Sequence, residues 1–572
     1  MKSGTNGIFT PWVLGPESAH VVWKRELTQA GLLGGDYGTE DTNAGVFGGM
    51  GMGGDPSTYG FPTIAYAGSA YQQVAKVYNG VPTNVWQRYD VRTGEIIWEQ
   101  TGITQVPNYI EYNIGAIPSG GGFPTHVTEV NLVYIGGGQL IKYRPSTGLV
   151  RTNVSIAPLA TGTYCMNGYA LSVQDLGATL PAEQRYRLIN WTTLGTTTSL
   201  ASRIMSNISW PISSLPGTID YNVGIAARVT NWQRAGVYYA VNVTGISLKT
   251  GSILWDKTLL DTSEYSGTTD MADHGKIVVL TLNKGFFALD LQTGKEAWWS
   301  EPMDYPWDEA GFGGYSVQSA YGLLYRQAYS GTYAFNWTNG KIVWKFESPS
   351  DYPYETPYIN EAGEGMYSSN IGANIADGKM YAYDTEHSAT VPITRGWKLH
   401  CINATTGEGI WQVALPGASS KHTTDVGLVH DGYLTVFSSD GYQYFYGKGK
   451  SATTVTAPVT NVPSGNIVLI QGTVLDQSPA QPNTPAVSTD SVAAWMEHVH
   501  LQRALPANLT GVPVQLTAIS SDGTVTDIGT TTSNGYYGTF SYEWTPANAD
   551  KYMITASFAG DASYGSLSLI HI

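Results

Sequence analysis

The sequence is poor in charged residues and in cysteine. Charged side chains make up only 13% of its 572 residues, and the formal net charge is −15. Proteins that bind nucleic acid usually carry a basic stripe, so this acidic composition excludes nucleic acid as the expected partner. The two cysteines, Cys165 and Cys401, neither require nor exclude an oxidising compartment.

Long apolar runs and helical heptads are also missing. No apolar stretch approaches the roughly 20 residues that a membrane-spanning helix needs, so we expect no membrane span in this chain. Residues 1–11 lack the charged start and apolar core of a signal peptide. The 67 glycines and 38 tyrosines fit a turn-rich β protein.

A glycine-containing turn recurs along most of the chain, and five copies carry a tryptophan four residues after the glycine. Glycine accommodates the positive φ that closes a short hairpin. A tryptophan at this spacing points to the same side as the glycine and fills the gap between neighbouring sheets. Two weaker copies have Thr152 or Ser199 where the tryptophan is expected. The strong copies are Gly94 with Trp98, Gly251 with Trp255, Gly294 with Trp298, Gly340 with Trp344 and Gly407 with Trp411; the weaker turns contain Gly148 and Gly195.

An eighth unit is divided between the two ends of this array. Residues 433–437 and 442–447 resemble the first strands of a unit, but no tryptophan strand follows them. Trp23 lies on a tryptophan strand with nothing before it. Joining the two ends closes a ring and removes exposed sheet edges. We therefore predict an all-β fold in which residues 19–450 form an eight-bladed β-propeller closed by the N-terminal strand, after an N-terminal segment 1–18. A seven-bladed ring is the alternative. The two cysteines would lie in separate blades, which predicts two free thiols.

The repeat resembles that of pyrroloquinoline-quinone (PQQ)-like propellers, the superfamily of the quinoprotein alcohol dehydrogenases. Residues 288–298, ALDLQTGKEAW, show the shared pattern, and the resemblance covers about three quarters of the chain. For the dehydrogenases it implies a quinone stacked at the ring centre, Ca²⁺ held by oxygen ligands and two adjacent cysteines. This chain has no adjacent cysteines. We therefore expect no cofactor, with PQQ and calcium as the alternative.

The composition changes after Lys450, which predicts a second domain. We expect a linker over 451–464 and an Ig-like β-sandwich over 455–566, with strands at 466–475, 512–519, 538–544 and 552–558. His498 and His500 are expected on an exposed strand face. Residues 567–572 resemble the translation of a sequencing adaptor, with an apolar strand end as the alternative. Together with residues 18–23, 386–388 and 395–396, this domain makes the chain resemble archaeal surface PQQ-binding-like β-propeller proteins.

Three groups of residues are candidates for ligand binding. Two acidic-aromatic groups open connections between repeats, where propellers place their binding loops. Aromatic faces beside carboxylates suit sugars or a bound cation, although packing between blades is the alternative. A third group lies in the longest unit and suits acid–base work or a buried network. The groups are Trp307, Asp308 and Glu309; Tyr354, Glu355 and Tyr358; and Glu386, His387 and Arg395.

These observations predict a non-catalytic scaffold at the cell surface or outside the cell. Its partner is expected to be a protein or a glycan, and its Ig-like domain is expected to be a spacer or adhesion module. The alternatives are a PQQ- and calcium-dependent quinoprotein dehydrogenase and a glycan-active enzyme. A role in outer-membrane assembly, which another eight-bladed family with similar repeats performs, fits less well because of the Ig-like domain.

Overall fold

The structure of the protein is a computed structural model. It describes residues 9–10, 12–26, 62, 64–118, 124–165, 168–195, 197–234, 237–260, 270–281, 285–304, 317–328, 330–350, 359–367, 373–384, 398–415, 428–438 and 442–571.

Four-stranded antiparallel sheets recur from Val21 to Tyr446. Two strands come before sheet 1 in the chain, β1 (Phe9–Thr10) and β2 (Val21–Glu26). In sheets 1 to 7, four successive strands pair in chain order, and β1 adds in parallel to the first strand of sheet 7. Sheet 1 contains β3 (Ile64–Tyr66), β4 (Ser69–Tyr78), β5 (Val81–Asp90) and β6 (Ile96–Thr101); sheet 2 contains β7 (Tyr109–Pro118), β8 (Pro124–Gly136), β9 (Gln139–Tyr143) and β10 (Val150–Ser155); sheet 3 contains β11 (Thr163–Cys165), β12 (Tyr169–Asp175), β13 (Tyr186–Thr192) and β14 (Ile204–Trp210), with the helix α1 (Ala182–Arg185) between β12 and β13; sheet 4 contains β15 (Thr218–Asp220), β16 (Ile225–Arg234), β17 (Val237–Ser247) and β18 (Ile253–Leu260).

The remaining sheets follow the same pattern, except that sheet 8 takes its outer strand from the N-terminal part of the chain. There, β2 pairs antiparallel with β33, so that Trp23 lies opposite Phe445. Sheet 5 contains β19 (Asp270–Asp273), β20 (Lys276–Thr281), β21 (Gly285–Asp290) and β22 (Glu296–Trp299); sheet 6 contains β23 (Val317–Ala320), β24 (Leu323–Ala328), β25 (Gly331–Asn336) and β26 (Ile342–Phe346); sheet 7 contains β27 (Asn374–Ala376), β28 (Lys379–Tyr383), β29 (Lys398–Asn403) and β30 (Gly409–Ala414); sheet 8 contains β31 (Leu428–His430), β32 (Tyr433–Phe437), β33 (Tyr442–Tyr446) and β2.

Buried apolar clusters join each of these sheets to the next. Every cluster takes side chains from two neighbouring sheets, and one of them joins sheet 8 to sheet 1 through Trp23, Phe445 and Tyr89. The first strands of several neighbouring sheets also lie against one another, as β15 does against β19 and β3 against β31. This repeated packing of four-stranded antiparallel sheets is that of a β-propeller.

The repeat tryptophans make the same two contacts at five places. Each indole N–H donates to the carbonyl oxygen three residues before a turn glycine of the next sheet, at 2.7–3.2 Å. Each ring also covers that glycine so closely that an added Cβ would lie 2.5–2.7 Å from it. The five pairs are Trp23 with Gly94, Trp98 with Gly148, Trp255 with Gly294, Trp298 with Gly340, and Trp344 with Gly407.

The third repeat is built differently, because no tryptophan reaches its turn glycine. Gly195 has positive φ, but no atom of the described residues lies within 4 Å of an added Cβ. A longer connection takes the place of the short turn, and the fully buried Arg203 holds it together. Its guanidinium donates to five backbone carbonyls between Thr192 and Thr197, at 2.6–3.2 Å. One charged side chain therefore satisfies the carbonyls that the open turn leaves unpaired.

Residues beyond 450 form two further sheets that pack on a common core. Ile470, Leu516 and Phe558 are among the buried side chains between the sheets. None of the helices in the described residues is long and apolar enough to cross a membrane. In the first sheet β35 pairs with β34, β36 and β39, and the second has the order β38-β37-β40-β41. The elements are β34 (Ser451–Thr456), β35 (Val468–Asp476), β36 (Thr484–Pro485), α2 (Thr489–Leu501), β37 (Thr510–Ile519), β38 (Val525–Asn534), β39 (Thr539–Trp544), β40 (Met553–Phe558) and β41 (Leu567–His571).

Two expectations for this domain are wrong. The predicted linker 451–464 begins with a strand, because β34 pairs with β35 along its whole length. His498 and His500 lie on the helix α2 and not on a strand, since the apolar residues of this segment follow a helical spacing that buries Val492, Trp495 and Met496. Residues 567–571 pair with β40 as an edge strand.

The contact between tryptophan and turn glycine predicts unequal effects of two matched substitutions. Gly407 and Gly195 have nearly the same φ, +77° and +79°, but only Gly407 is covered by a tryptophan. Alanine at either position costs about 1–2 kcal/mol for the left-handed backbone. Gly407→Ala adds about 1–3 kcal/mol because the new Cβ overlaps the Trp344 ring. Urea unfolding followed by circular dichroism measures both; equal losses would contradict the role of the ring.

Candidate binding face at the loop ends of the sheets

The segments with the predicted binding residues all connect strand ends at one face of the sheets. β22 ends before the first segment, β26 ends before the second, and β28 and β29 flank the third. Antiparallel pairing places the end of β28 beside the starts of β27 and β29. The turn glycines lie at the opposite strand ends. We call the face with the longer connections the loop face.

The predicted binding residues themselves lie outside the described residues. This holds for all three groups, so the structure neither brings them together nor separates them: Trp307, Asp308, Glu309, Tyr354, Glu355, Tyr358, Glu386, His387 and Arg395. The described residues that border two of these segments do form a defined cluster, which consists of Ser348, Asp384 and His400.

The cluster of Ser348, Asp384 and His400 is buried between sheets 6 and 7. Each of the three residues is at most 3% exposed. The Ser348 hydroxyl donates to Asp384 Oδ2 at 2.6 Å and lies 3.1 Å from His400 Nε2. The same histidine nitrogen lies 2.8 Å from Asp384 Oδ2. All three polar groups are therefore within hydrogen-bond distance of one another.

This arrangement does not form a nucleophilic triad. In a triad, one histidine nitrogen faces the serine while the other donates to the carboxylate. Here a single nitrogen, Nε2 of His400, faces both groups, so no proton can pass from the serine across the ring. Burial also keeps substrate away from the hydroxyl of Ser348. The cluster therefore acts as a structural anchor.

The cluster lies at the bases of two connections, where each connection leaves one strand and returns to the next. The N–H of Tyr367 donates to the carbonyl of Ser348 at 2.8 Å, which closes the base of the connection from β26 to β27. The N–H of Asp384 donates to the carbonyl of Lys398 at 3.0 Å and closes the base of the connection from β28 to β29. Because Ser348 bonds to Asp384, the two bases are joined. No local sequence pattern pointed to this anchor, because its residues come together only through the pairing of the strands.

A second polar group lies where the first strands begin. Thr218 on β15 donates to Asp270 on β19 at 2.5 Å. Burial raises the pKa of Asp270, although the hydrogen bond from Thr218 opposes this shift. The buried Gln318 donates to the carbonyl of Ala373, next to the equally buried Asn374. These side chains link neighbouring first strands at the loop face.

The described residues do not fit a calcium-bound quinone. Ca²⁺ takes six to eight oxygen ligands, usually including several carboxylates. In the part of the chain that the structure describes, no group of three or more His, Cys, Asp or Glu side chains could hold a metal. Asp270 already accepts a hydrogen bond from Thr218. Cys401 is a buried free thiol, and burial raises its pKa.

Comparison with known proteins finds a family match over part of the chain. Residues 240–387 and 331–478 match the family described as outer membrane protein assembly factor BamB. The chain is 26% identical over 116 residues to tetrathionate hydrolase of Acidithiobacillus ferrooxidans. That match covers 17% of this chain and 23% of the hydrolase, so the chain spans less than a quarter of this relative.

Several solved structures align with the chain at low identity and low TM-score. BamB from Moraxella catarrhalis is 13% identical with a TM-score of 0.30, over 67% of this chain and 96% of that chain. Quinohemoprotein alcohol dehydrogenase from Comamonas testosteroni is 12% identical with a TM-score of 0.35, over 70% and 76%. Sqt1 from Saccharomyces cerevisiae is 8% identical with a TM-score of 0.35, over 68% and 94%.

The buried anchor predicts a clear stability effect. Asp384→Ala removes the carboxylate that both Ser348 and His400 contact, and leaves these buried groups short of a partner. We expect a loss of about 1–3 kcal/mol in the free energy of unfolding. Asp175→Ala removes an exposed carboxylate from its pair with Arg185 and should have a much smaller effect. Urea unfolding of both variants tests this, and a loss for Asp384→Ala no larger than for Asp175→Ala would refute the anchor.

Proposed function

We propose that the chain is a closed eight-bladed β-propeller that acts as a non-catalytic binding scaffold at the cell surface or outside the cell. Its loop face binds a protein or a glycan, and its C-terminal sandwich is Ig-like. The single observation that carries the binding role is the anchor of Ser348, Asp384 and His400, which joins the bases of two connections.

The ring is supported by the pattern of contacts between the sheets. The apolar clusters join sheet 1 to sheet 2 and so on to sheet 8, and the cluster with Trp23 returns to sheet 1. Trp23 makes the same contacts as the other repeat tryptophans: its indole donates to Val91, and its ring covers Gly94. Because Trp23 lies on β2, the strand from the N-terminal part of the chain completes the repeat.

The binding role is supported by the location of the anchored connections. One contains Tyr354, Glu355 and Tyr358, and the other contains Glu386, His387 and Arg395. Binding residues on loops gain affinity and specificity when a rigid element positions them. Aromatic rings beside carboxylates suit sugar rings and basic side chains of proteins. The match to the BamB family also fits a role in protein interaction.

A dehydrogenase and a glycan-active enzyme are the alternatives. The dehydrogenase needs a donor set for calcium that the described residues do not supply. The glycan-active enzyme would depend on Glu309 and Glu355, which lie outside the described residues. The anchor supports neither alternative, because its side chains are buried and bond to one another.

Substitution of the predicted aromatic residues tests the scaffold directly. Trp307→Ala or Tyr354→Ala should weaken binding to isolated surface proteins or an immobilised glycan panel by about 2 kcal/mol, or roughly thirtyfold, because each removes an aromatic contact. Tyr537→Ala is the matched control, since this ring is 73% exposed on the C-terminal domain. Biolayer interferometry measures the affinities. Equal binding by all three variants would contradict the assignment of the loop face.

A thermal-shift titration separates the scaffold from the dehydrogenase. A ligand at one hundred times its dissociation constant stabilises a protein by about 2.7 kcal/mol. We expect no saturable shift with PQQ and Ca²⁺ together, and each component alone is the control. A saturable shift that requires both components would overturn the scaffold in favour of a quinoprotein.

A further inference from the structure

The C-terminal domain binds directly to the strand that sheet 8 takes from the N-terminal part of the chain. The N–H of Ala480 donates to the carbonyl of Val22 on β2 at 3.1 Å, and the Gln481 side chain donates to the carbonyl of Val21 at 2.6 Å. The hydroxyls of Ser18 and Ser563 lie 2.9 Å apart. The domain therefore holds the outer edge of β2, which would otherwise have unpaired carbonyls.

A buried polar group, formed by His20, Asp476 and Gln481, lies at the centre of this contact. His20 Nε2 lies 2.8 Å from Asp476 Oδ2, and His20 Nδ1 lies 2.9 Å from the carbonyl of Gly447. Both ring nitrogens have an oxygen acceptor within hydrogen-bond distance, and the Gln481 side-chain nitrogen also lies 3.3 Å from His20 Nε2. Gln481 also donates to Asp476 at 2.8 Å. The ring of Tyr564 packs edge-on against His20 at 4.7 Å.

The helix α2 extends the contact to sheet 7. Its carboxylate Glu497 accepts the N–H of Ala414, at the end of β30, at 2.6 Å. Trp495 and Met496 pack in the same apolar cluster as Tyr446 and Val413 of sheets 8 and 7. The C-terminal domain thus contacts the outer strands of two sheets, β30 of sheet 7 and β2 of sheet 8. It is therefore packed against the sheets and is not a separate spacer.

His500 connects α2 to the group formed by His20, Asp476 and Gln481. Its Nε2 lies 3.0 Å from the side-chain oxygen of Gln481, and its ring lies 6.3 Å from that of Tyr444 on β33. Burial, followed by the nearby charges of Lys24 and His20, lowers the pKa of His500 to about 3, against the opposing effect of Asp476. The docked domain therefore holds His500 neutral.

Asp476 also favours the docked state at neutral pH. Burial alone would raise its pKa, but His20 and the hydrogen bonds from His20 and Ser478 outweigh burial, so the pKa is lowered. Asp476 and His500 both bind protons less readily in the docked domain than when exposed to water. Their contributions to docking are present above their exposed pKa values and are lost as the pH falls.

We propose that the C-terminal domain is a clasp that holds β2 in sheet 8 and that opens in acid. Between about pH 6.5 and pH 3, opening takes up one proton on His500, so the opening equilibrium rises about tenfold for each pH unit. Below about pH 4, protonation of Asp476 adds to this effect.

Hydrogen exchange of β2, followed by mass spectrometry, tests the clasp in the full chain. After correction for the intrinsic exchange rate at each pH, the protection of 21–26 should fall about fiftyfold from pH 6.5 to pH 4.5. His500→Gln keeps a donor for Gln481 but cannot be protonated, so its protection should stay constant over this range. His498→Gln is the matched control, because His498 lies on the same helix and contacts the carbonyl of Arg503; it should behave like the unmodified chain.

A disulfide across the clasp provides a second test that does not depend on His500. The double substitution Ser18→Cys and Ser563→Cys replaces two hydroxyls that lie 2.9 Å apart, and oxidation to the disulfide should keep β2 protected at pH 4.5. Three results would overturn the proposal: constant protection of β2 in the unmodified chain, an equal fall in His500→Gln, or an equal fall in β13 of sheet 3. Loss of protection in the oxidised disulfide variant would overturn it as well.

Discussion

Five interfaces between neighbouring sheets depend on one contact, in which the indole of one repeat covers the turn glycine of the next. The contact requires glycine for two reasons: the turn needs a positive φ, and a Cβ would lie within 2.7 Å of the ring. The indole N–H adds a hydrogen bond to the same turn. Each outer strand is thereby fixed to the following hairpin at one end, and the opposite ends, at the loop face, are left to vary in length.

The exceptions to this contact explain two other features of the molecule. Where no tryptophan reaches Gly195, Arg203 supports the turn by binding its carbonyls. Trp411 has no following turn to cover, because β33 and β2 come from distant parts of the chain. Its ring stacks on Tyr446 at 6.0 Å, and its Nε1 has no hydrogen-bond partner among the described residues. The helix α2 packs in the same cluster, so the C-terminal domain takes the place of the missing turn.

Sequence patterns predicted the parts of the fold that repeat. The predicted all-β fold is confirmed, and the strands predicted at 466–475 and 512–519 correspond closely to β35 and β37. Another repeat was missed: the hairpins between the first two strands of five sheets turn through a residue and a glycine that both have positive φ. The pairs are Ala67 with Gly68, His274 with Gly275, Tyr321 with Gly322, Asp377 with Gly378 and Asp431 with Gly432.

The parts that sequence could not supply depend on contacts between distant residues. Ser348, Asp384 and His400 are separated by up to 52 positions, and no local pattern links them. The helix α2 was overlooked because alternating histidines suggested a strand, whereas the apolar positions 492, 495, 496 and 499 have helical spacing. The predicted binding residues of the loop face remain predictions.

The chemistry of the junction between the domains differs from that of the sheet interfaces. The sheets pack through apolar clusters, which gain stability without regard to pH. The junction buries the hydrogen-bonded side chains of His20 and Asp476, and a buried polar pair rarely stabilises a protein more than apolar side chains of the same size would. A contact selected for stability alone would therefore be apolar. A polar, hydrogen-bonded contact fixes the docking position of the domain, and the neighbouring His500 makes docking respond to protons, while the apolar interfaces keep the sheets together.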